Sequence, residues 1–267
     1  MQKEKITLTG VNETLLVPLY ARALESRKPN HLFYDATAVH IVDAVQYDFE
    51  KHGKSNLNMW GCAARTVLFD KQAAAHIKAY PNCCVVNIAC GLDDRFRRVD
   101  NGKIHWYNID FADVIALRKK LIEPNERVTD IACSVLDDSW ITQITNKEHT
   151  LIIAEGFLMY LTQENVKKLF DTIAKHFTHA VLLLELMSQW TVDHQQYHDT
   201  TKKVDVSFVW GVKESQDFVR LCPQYQLTAD FNFTDGMKQI APIRMAIIAP
   251  MMRDKNNRLA CFEQIGT

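Results

Sequence analysis

A glycine and an aspartate lie where two predicted strands end, at a spacing that suits a nucleoside site. Gly91 follows the apolar run Cys84–Cys90, and Asp110 ends the next such run nineteen residues later. A glycine lets the backbone approach a ligand closely, and an acid after the second strand can accept hydrogen bonds from both hydroxyls of a ribose. The pair therefore predicts a ribose site. A solvated aspartate that caps the following helix stays open as the alternative for Asp110.

The distribution of glycines excludes the common phosphate-binding loops. The chain has nine glycines, and the closest two, Gly53 and Gly61, are eight positions apart. Pyrophosphate needs several backbone N–H groups at close range, which is why those loops are rich in glycine. A cofactor with a ribose but no phosphate fits better, and S-adenosylmethionine is such a molecule.

Two further charged residues can hold the methionine arm of that cofactor. Arg65 can supply a bidentate fork for the carboxylate, and Glu155, at the end of the run Thr150–Ala154, can face the ammonium. An arginine on a helix surface and a glutamate in a solvated turn are the alternatives, because ionisable groups in clefts only raise the odds of function.

The pattern of elements predicts an α/β protein with a mostly parallel sheet. The first eighty residues read as a helical cap, over Glu13–Ser26, Ala36–Glu50 and Met59–Ala79. Apolar runs then alternate with helices, as in a parallel sheet covered on both faces. The predicted strands are Cys84–Cys90, Ile104–Asp110, Val128–Val135, Thr150–Ala154, His179–Glu185, Tyr225–Phe233 and Arg258–Ile265, and the later helices are Phe111–Leu121, Gln163–Phe177 and Met237–Met251. The last helix and strand indicate an antiparallel addition at one edge.

Several longer motifs resemble those of one enzyme family. They are Pro18-Leu-Tyr-Ala-Arg22, Phe33-Tyr-Asp35, Ala63-Ala-Arg65, Val85-Val-Asn-Ile-Ala-Cys-Gly-Leu-Asp-Asp-Arg-Phe96 and Ala154-Glu-Gly-Phe-Leu-Met-Tyr-Leu161 followed by Thr162-Gln-Glu-Asn165. From about Leu16 to Ser188 the chain resembles the leucine carboxyl methyltransferase superfamily, closest to the branch linked to bacterial polyketide O-methyltransferases. The resemblance implies a class I methyltransferase fold, a Rossmann-like seven-stranded sheet with helices on both faces.

The resemblance also implies roles for individual cofactor-binding residues. Arg65 matches the arginine on the cofactor carboxylate, Gly91 with Ala89 the loop after the first strand, Asp110 with Phe111 the ribose site, and Glu155 the glutamate near the methionine end. The third strand departs from the family pattern: Ser134 and Val135 stand where an Asp-Leu pair commonly contacts adenine, and Asp137 can replace it. Asp93 and Arg95 also match the family, but the role expected for them is structural, as an ion pair that braces the loop.

The acceptor site is predicted in a cover over residues 189–219. Trp190, Tyr197, Phe208 and Trp210 lie there with His194 and His198, which are four positions apart. Aromatic side chains with polar tips suit a small-molecule site, although a packed cap on the sheet is equally compatible. Two histidines without a third ligand are a poor metal site, so no metal is predicted. By resemblance, Tyr20, Arg22 and Tyr160 are further candidates for acceptor binding or catalysis.

Composition bounds the class of protein. The 267 residues carry a formal net charge of −1, and the longest stretch without Asp, Glu, Lys or Arg has 14 residues. Neither nucleic-acid binding nor a membrane span is expected from these values. The charged N-terminus has no signal-peptide pattern, and the seven cysteines without a Cys-x-x-Cys pair read as reduced thiols. A cytoplasmic protein is expected, with its oligomeric state open.

Taken together, these features predict a helical cap over residues 1–80 and a methyltransferase core over residues 81–267. The expected reaction moves a methyl group from S-adenosylmethionine to a hydroxyl or carboxyl oxygen of a small molecule. A hydroxyl must lose its proton, for which His194 or His198 is the candidate base, whereas a carboxylate needs none. A nicotinamide-dependent oxidoreductase and a non-catalytic protein that binds a nucleotide are the alternatives.

Overall fold

The computed structural model describes residues 14–50, 56–145, 147–197 and 207–265, and its centre is a seven-stranded sheet. The strands run in the order β3-β2-β1-β4-β5-β7-β6. Their bounds are β1 Cys84–Ile88, β2 His105–Asp110, β3 Val128–Ala132, β4 Leu151–Ala154, β5 Val181–Leu186, β6 Tyr225–Asn232 and β7 Arg258–Gln264. The first five strands pair in parallel, and β7 is antiparallel to both β5 and β6. The predicted sheet and its antiparallel edge are confirmed.

Helices cover the sheet and form the N-terminal layer. Their bounds are α1 Leu16–Ser26, α2 Ala36–Ala44, α3 Asn56–Ala79, α4 Arg95–Val99, α5 Ala112–Leu121, α6 Gln163–His176, α7 Gln189–Asp193, α8 Gln216–Leu221, α9 Phe233–Ile240 and α10 Pro242–Met252. Local side chains fix several starts: Asp35, Thr162 and Ser188 each accept a hydrogen bond from a backbone N–H in the first turn of the helix that follows. In the described part of the chain, no helix is both long and apolar enough to cross a membrane.

The long helix α3 joins the N-terminal layer to the C-terminal part of the chain. It packs against α1 and also against α9. At the contact with α9, a Cβ on Gly236 would lie 2.9 Å from the Cβ of Ala64, so only glycine allows this approach. The predicted boundary near residue 80 therefore divides the chain in sequence, while α3 packs with elements from both sides of it.

Two predicted helices differ from the structure. The helix predicted over Ala36–Glu50 ends at Ala44, because Val45 takes an extended backbone and packs into the apolar cluster beneath α1. The single helix predicted over Met237–Met251 is two helices, α9 and α10. They separate at Ala241, because a residue before proline is disfavoured in the helical region, and Pro242 begins the second helix.

The seven cysteines are free thiols in the structure, and five of them are buried. Burial raises the pKa of Cys83 to about 11 and of Cys222 to about 12, so these thiols stay protonated at neutral pH. They pack as small apolar side chains.

Candidate cofactor and acceptor site

Asp110 accepts two backbone hydrogen bonds, one of which comes from the loop after β1. The N–H of Gly91 donates to Oδ2 of Asp110, and the N–H of Phe111 donates to Oδ1, each at 2.8 Å. Ala89 and Gly91 both have positive φ, 50° and 52°. The tight turn therefore places the glycine backbone beside the buried carboxylate. Each carboxylate oxygen can accept a second hydrogen bond, so Asp110 keeps acceptor capacity for ribose hydroxyls.

Asp110 does not cap the next helix, contrary to the alternative reading of its position. Phe111 occupies the N-cap of α5, and its side chain makes no capping hydrogen bond. Arg118 of the same helix is buried and donates to the carbonyl oxygens of Gly91 and Asp93, at 2.8 and 2.7 Å. Arg118 therefore supports the glycine loop.

Arg65 lies between two glutamates at the ends of neighbouring strands. Its Nε is 2.8 Å from Oε1 of Glu155, and its Nη1 donates to Oε2 of Glu185 at 2.8 Å. The contact at Nε is an ion pair without hydrogen-bond geometry, because the N–H is not directed at Oε1. Together the two contacts use only part of the five guanidinium donors.

Both oxygens of Glu155 face arginines. Arg65 contacts one, and Arg95 donates to the other. Burial alone would raise the pKa of Glu155, but the two guanidinium groups outweigh it and hold the pKa below its usual range. The carboxylate is therefore ionised at neutral pH. Its charge is already shared between arginines, which makes it a brace for Arg65 as much as a partner for an ammonium.

The ion pairs continue from the site to the N-terminal layer. Arg95 also contacts Asp70 and Asp93, as the predicted loop brace requires, and Arg98 contacts both of these and Asp35. Arg22 is the last member of this network of ion pairs. Its Nε donates to Asp35 at 2.8 Å, and its Nη2 donates to the carbonyl oxygen of Leu92 at 3.0 Å. These contacts fix α1 and α2 against the glycine loop.

A cavity of about 730 Å³ opens at this edge of the sheet, within the size range of small-molecule sites. One part of its lining contains residues 89–93, Arg65, Glu155 and Glu185. The lining also contains Met159, Tyr160, Met187, Trp190, His194 and Phe208. A charged part and an aromatic part therefore belong to one continuous space.

The aromatic part is built by the segment after β5. The rings of Trp190 and His194 stack at 4.5 Å, and Nδ1 of His194 lies 2.9 Å from the carbonyl oxygen of Trp190. A carbonyl only accepts, so Nδ1 carries the proton of the neutral ring and Nε2 keeps a lone pair. The amide of Gln195 pairs with both backbone groups of Phe208, at 2.9 and 3.2 Å, which ties two parts of the cover together.

Tyr160 borders the cavity beside Phe208. Its ring is 5.7 Å from that of Phe208, and burial raises the pKa of its hydroxyl, although a hydrogen bond with Thr14 lowers that pKa in part. A phenol with a raised pKa stays protonated and donates hydrogen bonds. Of the roles predicted for Tyr160, orientation of an acceptor fits this environment better than proton removal.

Two other predicted acceptor residues, Trp210 and Tyr20, are not among the residues that line the cavity. Trp210 is buried in the main core of the sheet, and Tyr20 stacks on Phe49 in the N-terminal layer. Arg22 borders the cavity, but its guanidinium is engaged by Asp35 and Leu92. The apolar bodies of the two aromatic residues gain more from core packing than from an open pocket. The side chain of Tyr197 and all of His198 lie outside the described residues.

The residues predicted near adenine follow β3 and, like Asp110 and Phe111, lie outside the lining of the cavity. Ser134 Oγ accepts from the N–H of Leu136 at 3.3 Å, and Asp137 caps a short helix through the N–H of Ser139. Val135 is buried in the core, whereas Phe111 is exposed. Their roles in cofactor binding stay predictions.

Sequence reasoning missed Glu185, which the structure places at the centre of the charged part. It lies in β5, is buried, and borders the cavity beside Arg65. A signal was present, because Glu185 interrupts the apolar run from Val181 to Met187. A charged residue inside a buried strand requires a partner, so it marks a site.

Affinity for the demethylated cofactor, S-adenosylhomocysteine, should fall in mild acid through Asp110. Burial raises the pKa of this carboxyl above its usual 3.8, although its backbone hydrogen bonds lower it again in part. Protonation as the pH falls through that raised value removes the charge that strengthens hydrogen bonds to ribose hydroxyls. Titration calorimetry between pH 7.5 and 4.5 measures the loss.

Asp110→Asn is the matched control for that titration. It should bind about 1–2 kcal/mol more weakly at pH 7.5 and show a flatter pH dependence. Wild-type affinity in the variant at every pH would contradict the ribose assignment.

Comparison with known proteins finds methyltransferases. Residues 16–174 match the family model for leucine carboxyl methyltransferase. The tetracenomycin polyketide synthesis O-methyltransferase TcmP of Streptomyces glaucescens is 28% identical over 87% of this chain and 87% of that protein. An S-adenosyl-L-methionine-dependent methyltransferase of Gibberella zeae is 28% identical over 66% of this chain and 65% of that protein. The magnesium protoporphyrin IX methyltransferase of Synechocystis, solved with bound S-adenosylhomocysteine, shares the fold, with a TM-score of 0.51 and 8% identity over 79% of this chain and 88% of that one.

Proposed function

Since the chain belongs to the leucine carboxyl methyltransferase family, whose members use S-adenosylmethionine, we propose that it methylates an oxygen of a small aromatic molecule. The observation that carries this proposal is the single cavity that joins the charged part beside Gly91 to the aromatic part at Trp190 and His194. The O-methyltransferase named above, similar over most of its length, supports an oxygen acceptor. The nicotinamide alternative lacks both a glycine-rich loop and this support.

The residues present fit S-adenosylmethionine. Arg65 borders the cavity and has guanidinium donors beyond the two that face Glu155 and Glu185, which suits a carboxylate, and Asp110 has acceptor capacity for a ribose beside the Gly91 backbone. A Cβ on Gly91 would lie 2.8 Å from Cδ2 of Leu15, so the absence of a side chain lets Leu15 pack against this turn. Arg65 would hold the carboxylate of the cofactor. Asp110 would hold its ribose, and Gly91 forms the tight turn beside Asp110.

When bound, S-adenosylmethionine supplies a methyl group that its sulfonium already activates. The protein therefore has to align the acceptor and exclude water. Trp190 and Phe208 offer aromatic surfaces, the latter packed beside Tyr160, whose hydroxyl can donate to the acceptor oxygen. Nε2 of His194 can take a proton from a hydroxyl acceptor, since its Nδ1 proton is engaged with Trp190.

The aromatic end also contains a cation. Nζ of Lys255 lies 4.8 Å from the ring centroid of Trp190, and Lys255 borders the cavity. A phenolate formed after proton removal, or an acidic substituent on the ring, would be stabilised by this charge. An aromatic acceptor with an acidic group is therefore favoured over a neutral aliphatic one.

Methyl transfer to a panel of acceptors tests the proposal. The purified protein, given S-adenosylmethionine with a deuterated methyl group, should label phenols or aromatic acids at oxygen, as measured by mass spectrometry. Alkaline treatment then identifies the atom, because a methyl ester releases methanol while an aryl methyl ether is stable. Labelling only at nitrogen, sulfur or carbon would contradict the proposal.

A further inference from the structure

Glu185 is a buried carboxylate whose oxygens are held from three directions. Oε2 accepts from the backbone N–H of Gly156 at 2.7 Å and from Nη1 of Arg65 at 2.8 Å. Oε1 accepts from Nδ2 of Asn257 at 2.9 Å. The donors come from the end of β4, from α3 and from the residue before β7. A side chain anchored in this way has one position in the folded protein.

Its position fixes that of Arg65. The guanidinium lies between Glu155 on one side and Glu185 on the other, with the two ion-pair distances both 2.8 Å. Gly156, at φ 64°, leaves space for it, because a Cβ there would lie 3.3 Å from Nη1. Two carboxylates and a bare glycine therefore determine the plane of the fork. A bidentate bond to a carboxylate depends on that plane.

We propose that Glu185 is a positioning residue, which aims the fork of Arg65 at the carboxylate of the cofactor and so selects for its amino-acid end. This inference rests on the proposed function, because it takes the carboxylate of S-adenosylmethionine as the partner of Arg65. Gly156 and Asn257 hold Glu185 in turn. Glu155 has a different task, since Arg95 shares it and links it to the loop brace.

Two ligands separate positioning from general support of the fold. S-adenosylhomocysteine carries the amino-acid arm, whereas 5′-methylthioadenosine has the same nucleoside and thioether sulfur without it. If Glu185 acts through Arg65, Glu185→Gln should weaken binding of the first about tenfold or more and leave the second within about twofold. The glutamine side chain keeps the shape of Glu185 but loses its charge. Its NH₂ group also replaces one acceptor oxygen and so faces one of the three groups that donate to Glu185. Titration calorimetry of both ligands on both proteins gives the comparison.

Glu25→Gln is the matched control. Glu25 is also a buried glutamate, paired with Lys28 and with the N–H of Leu32, but it lies in α1 away from the cavity. This variant should bind both ligands like the wild type. If Glu185→Gln does not fold, Asn257→Ala replaces it, because that change frees Oε1 while it keeps the carboxylate and should give a smaller loss of the same selectivity.

Arg65→Lys distinguishes failure of this inference from failure of the proposed site. Selective loss of S-adenosylhomocysteine in Arg65→Lys, with unchanged or higher affinity in Glu185→Gln, would overturn the positioning role and leave the site intact. Equal loss of both ligands in Glu185→Gln would also overturn it, since the residue would then only support the fold. No selectivity in either variant would overturn the carboxylate assignment itself.

Discussion

Arg65→Ala should weaken binding of S-adenosylhomocysteine by about ten- to a hundredfold. A hydrogen bond to a charged group contributes on the order of 1.5–3 kcal/mol, and the fork of Arg65 is the donor we assign to the cofactor carboxylate. The expected loss resides in the amino-acid arm, so 5′-methylthioadenosine should bind with nearly unchanged affinity. Titration calorimetry of both ligands provides the measurement.

The same substitution also removes the partner of two buried carboxylates. Glu185 would keep only neutral donors, and breaking a buried ion pair from one side costs about 3–5 kcal/mol of stability. Thermal unfolding must therefore accompany the binding data, and retained binding of 5′-methylthioadenosine shows that the nucleoside site is still folded. Arg65→Met combined with Glu185→Gln removes the pair together and should restore part of the stability but not the affinity. Full affinity for S-adenosylhomocysteine in either variant would contradict the carboxylate assignment.

The centre of the sheet could be predicted from the sequence because β1, β4 and β5 are mostly apolar runs of the right length. Runs such as Leu151–Ala154 are buried on both faces and read the same from the sequence as from the structure. The antiparallel edge followed from the order of the last elements. The predicted ends of helices were less accurate where a single residue determines them, as Pro242 does between α9 and α10.

The strand-end residues of the site could be located for a similar reason. Gly91, Asp110 and Glu155 follow strands whose carboxyl ends meet at one edge, so local sequence is enough to bring them together. Partners that come from distant parts of the chain could not be found this way. Glu185 is 120 positions from Arg65, and Arg118 is 27 positions from the loop that it supports.

The cover was the least predictable part of the site. Aromatic residues suit both a pocket and a core, and their pattern does not distinguish the two environments. Trp190 borders the cavity and is partly exposed, while Trp210, twenty positions later, is buried in the main core. The difference arises from the pairing of Val212 with Ser188, which turns this segment back onto the sheet.

His194→Ala should lower kcat for a hydroxyl acceptor by about a hundredfold or more, the scale of general base catalysis. The engaged Nδ1 proton leaves Nε2 as the basic nitrogen, and the ring borders the cavity beside Trp190. Affinity for S-adenosylhomocysteine should change little, because the charged part of the cavity is built by other elements. Steady-state kinetics together with calorimetry measure both quantities.

A carboxylate acceptor serves as the internal control for this prediction, because it carries no proton that must leave before methyl transfer. Its turnover by His194→Ala should therefore stay close to that of the wild type, while the phenol of the same ring size loses its rate. Trp190→Ala should reduce turnover of both acceptors, since the stacking surface is shared, and His176→Ala, an exposed histidine on α6, should affect neither. An unchanged kcat for the phenol in His194→Ala would contradict the role as base. Loss of cofactor affinity and of stability in both cover variants would show instead that this segment supports the fold, because the stacked pair would then be part of the packed structure beneath the cavity.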